Sequence, residues 1–168
     1  MRNQAVGAAA RLGLTALLCL GAAGAGQAAG KVRTAVMHDF DEGGAGFRFS
    51  DGSFVKPGQD AELYQGMDLM FDLPHGLGTN NAEVWPFFRG KGGIVDVGPK
   101  ALAAVKEAPA AGYVPGLKPD GIVQGHTYCV RTADGEHYAK LHVVKFDREK
   151  ETLEFSWQYQ PRPTTVFE

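Results

Sequence analysis

Cysteine is nearly absent. The 168 residues hold two, and one of them, Cys19, lies in an apolar N-terminal stretch, so beyond it Cys129 stands alone and an internal disulfide is excluded. Runs of one charge are also missing. Basic residues never extend past a dipeptide, which removes the electrostatic footprint of a nucleic-acid binder. Serine is confined to Ser50, Ser53 and Ser156, and the Gly-x-Ser-x-Gly turn of a serine hydrolase does not occur. The acidic residues Asp39, Asp41, Glu42, Asp68 and Asp72 are too scattered to name a glycosidase pair. Nothing marks an enzyme, and a non-enzymatic protein is the expectation.

Residues 1–29 have the make-up of a secretory signal: Arg2 and Arg11, the apolar LGLTALLCLGAAGA, then small residues suited to cleavage after Ala25 or Ala28. The apolar part falls short of the roughly 18 residues of a membrane span. Leu18 before Cys19 is bulky where a lipoprotein signal calls for a small residue, so lipid attachment at Cys19 is the lesser alternative. The expectation is export to the periplasm, the cell surface or the medium. Of the 17 basic side chains two fall in this segment, so 15 face 19 acidic ones in residues 30–168, a net charge of about −4. That length suits one domain with its own core.

The most informative stretch is residues 125–160, GHTYCVRTADGEHYAKLHVVKFDREKETLEFSWQYQ. Three segments of alternating apolar and polar residues are separated by Asp134-Gly135 and by the charged run 147–151, the pattern of an antiparallel three-stranded meander. An Asp-Gly turn sets Arg131 opposite Tyr138, then Val130 opposite Ala139, Cys129 opposite Lys140, Tyr128 opposite Leu141, Thr127 opposite His142 and His126 opposite Val143. A three-residue loop between Asp147 and Glu151 then sets Val143 opposite Phe155, Leu141 opposite Trp157 and Ala139 opposite Tyr159. This register puts the aromatic stripe on one face. It puts Cys129, Lys140, His142, Ser156 and Gln158 on the other, expected to be hydrated, with the Cys129 thiol reachable.

A core-facing aromatic stripe needs a second layer from upstream. Residues 31–40 read as a first strand, 47–55 as a hairpin around Asp51-Gly52, and 63–73 as a strand with Leu63, Leu69, Phe71 and Leu73 on one face. Residues 74–81 have the composition of an irregular loop, and 84–88 of a short strand broken by Pro86. The glycines of 90–93 precede the apolar Ile94-Val95-Asp96-Val97 and lack the Lys-Ser or Lys-Thr of a phosphate loop, so they read as a turn or bulge. Residues 99–107 (PKALAAVKE) read as the single short helix, 110–124 as a crossing loop long enough for a flap, and 164–168 as a disordered tail. The expected fold is all-β: a two-layer antiparallel β-sandwich-like domain with one short helix.

Five histidines, His38, His75, His126, His137 and His142, raise metal binding. His137 and His142 are five apart on one strand and point to opposite faces. Cys129 lies diagonal to His142, but two donors fall short of the three or four a zinc ion takes.

Two regions resemble the HmuY-like haem-binding proteins, exported or surface lipoproteins of almost wholly β-structure. The first runs through Thr127-Tyr-Cys-Val-Arg-Thr-Ala-Asp-Gly135, Tyr138-Ala-Lys-Leu141, Leu153-Glu-Phe155 and Tyr159-Gln160, the second through Met67-Asp-Leu-Met-Phe-Asp72, Asn80-Asn81 and Gly92-Gly93. Together they cover about half of the chain after the signal. The resemblance implies haem held in an apolar cleft between two axial histidine or methionine side chains. No ligand position carries over. From loop position and the rim of the core face, His75 and His126 are the candidate haem ligands, with Met37, Met67 and Met70 as alternative donors. The resulting expectation is an exported protein that binds haem or another small apolar ligand. Its alternative is a surface or periplasmic protein that binds a protein partner without cofactor.

Overall fold

The computed structural model describes residues 30–40, 44–56, 66–84 and 88–167. The signal-like segment 1–29, Leu63 and Pro86 lie outside the described residues. Ten strands are described: β1 (Arg33–His38), β2 (Gly46–Phe47), β3 (Phe54–Val55), β4 (Leu69–Asp72), β5 (Gly76–Thr79), β6 (Gly93–Asp96), β7 (Gly116–Leu117), β8 (Thr127–Arg131), β9 (Tyr138–Asp147) and β10 (Thr152–Gln160). They form two antiparallel five-stranded sheets packed on each other, sheet A in the order β1-β10-β9-β8-β6 and sheet B in the order β3-β2-β4-β5-β7. Among the described residues no helix is long and apolar enough to cross a membrane.

The meander forms the centre of sheet A, and β8 and β9 pair as their alternation dictates, Arg131 with Tyr138 through Thr127 with His142. The β9–β10 loop is one residue longer than the spacing implies: Asp147 pairs with Thr152, and Glu151 takes a positive φ of 52°. A bulge absorbs the extra residue. Glu154 pairs with Lys145 and Phe155 with Val143, so Val144 is left over and every pair below it has the expected register, including Trp157 with Leu141. The core between the sheets takes Phe47, Phe49, Leu69, Phe71 and Leu77 from sheet B and Ile94, Tyr128, Val130, Leu141, Val143, Phe155 and Trp157 from sheet A. At the edge of sheet A, β1 pairs with β10 along its whole length, but only Met37 of its side chains is fully buried.

Asp68 joins the two sheets at one end. Its Oδ2 accepts the Phe49 N–H at 2.8 Å from the β2–β3 loop, and its Oδ1 accepts the Ala133 N–H at 2.9 Å from the β8–β9 loop. Burial pushes its carboxyl pKa up despite these bonds. Asp134 behaves oppositely. Burial raises it, but the N–H of Glu136, the ring and N–H of His137 and the Thr132 hydroxyl outweigh that and hold its pKa at about 2. A folded pKa below the unfolded value of about 3.9 gives stability that is present above pH 4 and lost as pH falls toward 2. Urea midpoints measured from pH 6 to pH 2 are therefore expected to fall less steeply in Asp134→Asn than in the unaltered protein. Parallel profiles would count against this carboxylate as an acid-labile support.

Five further expectations are corrected. Residues 99–107 form no α-helix; a 3-10 turn spans Leu102–Ala104, flanked by extended Ala101 and Val105. The backbone carbonyls are bonded outward instead: Gly98 O accepts the Thr127 N–H, Lys100 O the Thr127 hydroxyl, and Val105 O the Lys140 ammonium at 2.7 Å. Consequently part of the second face of sheet A is covered rather than hydrated, while His142 and Ser156 on it stay half-buried. Cys129 is fully buried against Val105, Ala108 and Phe167, Lys140 is 2% exposed and Gln158 8% exposed. The tail is ordered through Phe167, with Ala108 N–H to Thr165 O and Phe167 N–H to Lys106 O, both at 2.8 Å. Residues 74–81 contain strand β5, and 110–124 are stitched in rather than free as a flap. Leu117 and Gly116 pair with β5, and Val114 bridges to Ile94 of sheet A.

Candidate functional site

The outward face of sheet B has a hollow over glycine positions of β5 and β7. In β4, Leu69 and Phe71 point into the core, which turns Met70 and Asp72 outward. Gly78 and Gly76 pair with those two residues, and Gly116 of β7 pairs with Gly78. The floor is therefore bare backbone. Glu83 and Val84 form one wall and residues 115–118 the other, enclosing a cleft of about 420 Å³, within the range of roughly 300 to 1,000 Å³ of small-molecule sites. A Cβ added at Gly116 would lie 3.1 Å from Leu77 O, 3.3 Å from Gly78 Cα and 3.7 Å from Val84 Cγ2, tight against the paired strand. Gly76 has a separate reason: its φ is +103°, and a side chain there would collide with the backbone of Leu117.

His75 stands at one end of this cleft, on the tight turn from β4 to β5. The turn is closed by His75 N–H to Asp72 O at 3.0 Å and by His75 Nδ1 to Asp72 Oδ2 at 2.8 Å. The histidine side chain is 60% exposed while that of Asp72 is 5% exposed. A carboxylate accepts and does not donate, so the neutral imidazole carries its proton on Nδ1 and its lone pair on Nε2. Asp72 Oδ1 is buried and, among the described residues, has no hydrogen-bond partner.

Of the candidate donors, the structure brings His75 and Met70 to one cleft. His126 is elsewhere, at the start of β8 on sheet A, with Nδ1 2.9 Å from Asp96 Oδ2. Met37 is sealed in the core between the sheets, and Met67 is buried against Phe88 and Met70. His142 Nδ1 lies 2.9 Å from the Thr127 hydroxyl, and burial pushes the Cys129 thiol up to about 12, so this cysteine is no thiolate at neutral pH. Among the described residues no group of three or more His, Cys, Asp or Glu side chains is placed to hold a metal ion.

Sequence reasoning missed Asp72 as a partner of His75, and it missed the glycine floor. The available signal was the alternation Gly76-Leu77-Gly78-Thr79, a strand with one bare face. Compared with known proteins, the chain matches no family model and no curated protein sequence.

Proposed function

We propose that this chain is an exported ligand-binding protein whose ligand lies in the glycine-floored cleft of sheet B, with haem as the ligand and His75 as an axial donor. The observation that carries the reading is a histidine fixed by a buried carboxylate at the end of a hollow floored by Gly76, Gly78 and Gly116. Glycine weakens a strand, and in strands it marks a bulge, a bend or a place where a ligand or another backbone comes close. The donor set suits haem iron: an imidazole with its lone pair on Nε2, and the thioether of Met70 in the same cleft. Lys118 in the wall supplies a cation for the ligand's carboxylates. Export rests on the make-up of residues 1–29, and the haem assignment on the HmuY-like resemblance of the strands.

Titration with haem is expected to give a saturable complex with a Soret band that shifts, with weaker binding, in His75→Ala. His126→Ala is expected to leave the band in place because Asp96 holds that ring outside the cleft. Weak, non-saturating absorption by the unaltered protein would favour the partner-binding reading instead. Its support is the outer edge of β1, unpaired among the described residues, with Val36 on the strand and Val32 just before it exposed.

A further inference from the structure

We infer that Asp72 is a positioning residue for the His75 donor, setting both the direction in which Nε2 faces and the electron density it offers to a bound iron. The inference rests on the haem reading of the same cleft, but its physical content is a property of this chain alone.

Three features single out this carboxylate. It is buried while the ring it holds is exposed, so the hydrogen bond of 2.8 Å is shielded on the carboxylate side and the imidazole projects from it like a lever from a fixed pivot. The backbone repeats the constraint, since the His75 N–H donates to the Asp72 carbonyl at 3.0 Å and closes the same turn. Finally, among the described residues Asp72 Oδ1 is buried and accepts no hydrogen bond, so no second described donor competes with the His75 ring for the charge of this carboxylate.

What the carboxylate adds is charge. An anionic acceptor on Nδ1–H draws the proton toward itself, gives the ring imidazolate character and makes Nε2 a stronger donor. On a haem iron this stabilises the ferric form and lowers the reduction potential. The other two histidine–aspartate pairs, His126 with Asp96 and His137 with Asp134, do not share this arrangement. Both carboxylates are much more exposed than Asp72, at 36% and 50%.

Two measurements test the inference. In ligand-free protein, nitrogen-15 spectra of the His75 ring are expected to show the Nδ1–H tautomer, and Asp72→Ala is expected to move the ring toward the Nε2–H form. With haem, Asp72→Ala is expected to weaken binding about 10- to 100-fold, as other outer-shell removals do. Asp72→Asn retains the shape and an accepting oxygen but not the charge. It is expected to bind more tightly than the alanine variant, with a reduction potential above that of the unaltered protein. A ring tautomer indifferent to Asp72→Ala would overturn the inference, as would an unchanged potential in Asp72→Asn whose haem complex still depends on His75. Haem binding that survives His75→Ala unaltered would overturn both the inference and the haem assignment on which it rests.

Discussion

Replacing Trp157 with alanine is expected to lower stability by about 3 to 5 kcal/mol, the range for loss of a large buried aromatic ring, read as a reduced urea midpoint. The indole is 3% exposed and lies where both sheets meet. Its ring packs edge-on against Phe47 at 5.3 Å and Phe49 at 5.7 Å, and the Arg33 guanidinium caps it at 5.2 Å. Trp157→Phe gives a sharper result. Trp157 Nε1 is buried and has no hydrogen-bond partner among the described residues, so phenylalanine keeps most of the apolar area and discards a buried polar donor. Its cost is expected to be a small fraction of the alanine value. Lys145→Ala, at a side chain 54% exposed, provides the surface control, expected within about 0.5 kcal/mol. Equal losses at 145 and 157 would contradict this packing.

Deleting residues 163–168 is expected to have a comparable effect, about 3 to 5 kcal/mol, because it removes the buried ring of Phe167. It also breaks the backbone bonds of Thr165 and Phe167 to the 106–108 segment and the Gln160 side-chain bond to Val166. The ring of Phe167 lies 4.8 Å from Lys140 Nζ, an ammonium with its pKa lowered by burial and then by neighbouring Lys106. Uncovering this face should return water to Lys140 and make Cys129 reachable. In the intact native protein a thiol reagent is expected to react with Cys129 only after denaturation, and in the truncated protein under native conditions. Equal labelling of both native forms would show that the tail is not what shields the thiol.

The meander was legible because its signals are local. Asp134-Gly135 fixes a register, and the stripe Phe155, Trp157, Tyr159 confirms the face it must bury. The bulge was not legible, since Val143, Val144 and Lys145 offer no marker for which residue is extra. The covered second face of sheet A was misread for a different reason. Thr127, Cys129, Lys140 and Gln158 have a half-polar pattern that fits a hydrated face, and what buries them is a remote segment bonded to Lys140 through Val105 O. Residues 99–107 have good helix formers, but tertiary bonds to Gly98, Lys100 and Val105 hold the chain extended around one 3-10 turn. For the site, the position of His75 in a turn was readable. The hollow was not, because it depends on Gly78 of β5 pairing with Gly116 of β7, two positions far apart in the chain.

The attachment of β1 sets where the molecule can open without unfolding. Six of its residues pair with β10, yet Met37 alone is fully buried, so detaching the strand uncovers one fully buried side chain. Fluctuations of that kind are local events with free energies well below that of global unfolding. Each would strip the outer edge from β10, leaving a long strand with free amide and carbonyl groups and the aromatic stripe beside it. Such an opening would leave the first place in sheet A unfilled. An extended segment from another molecule, in the direction β1 now runs, would find a template already in register.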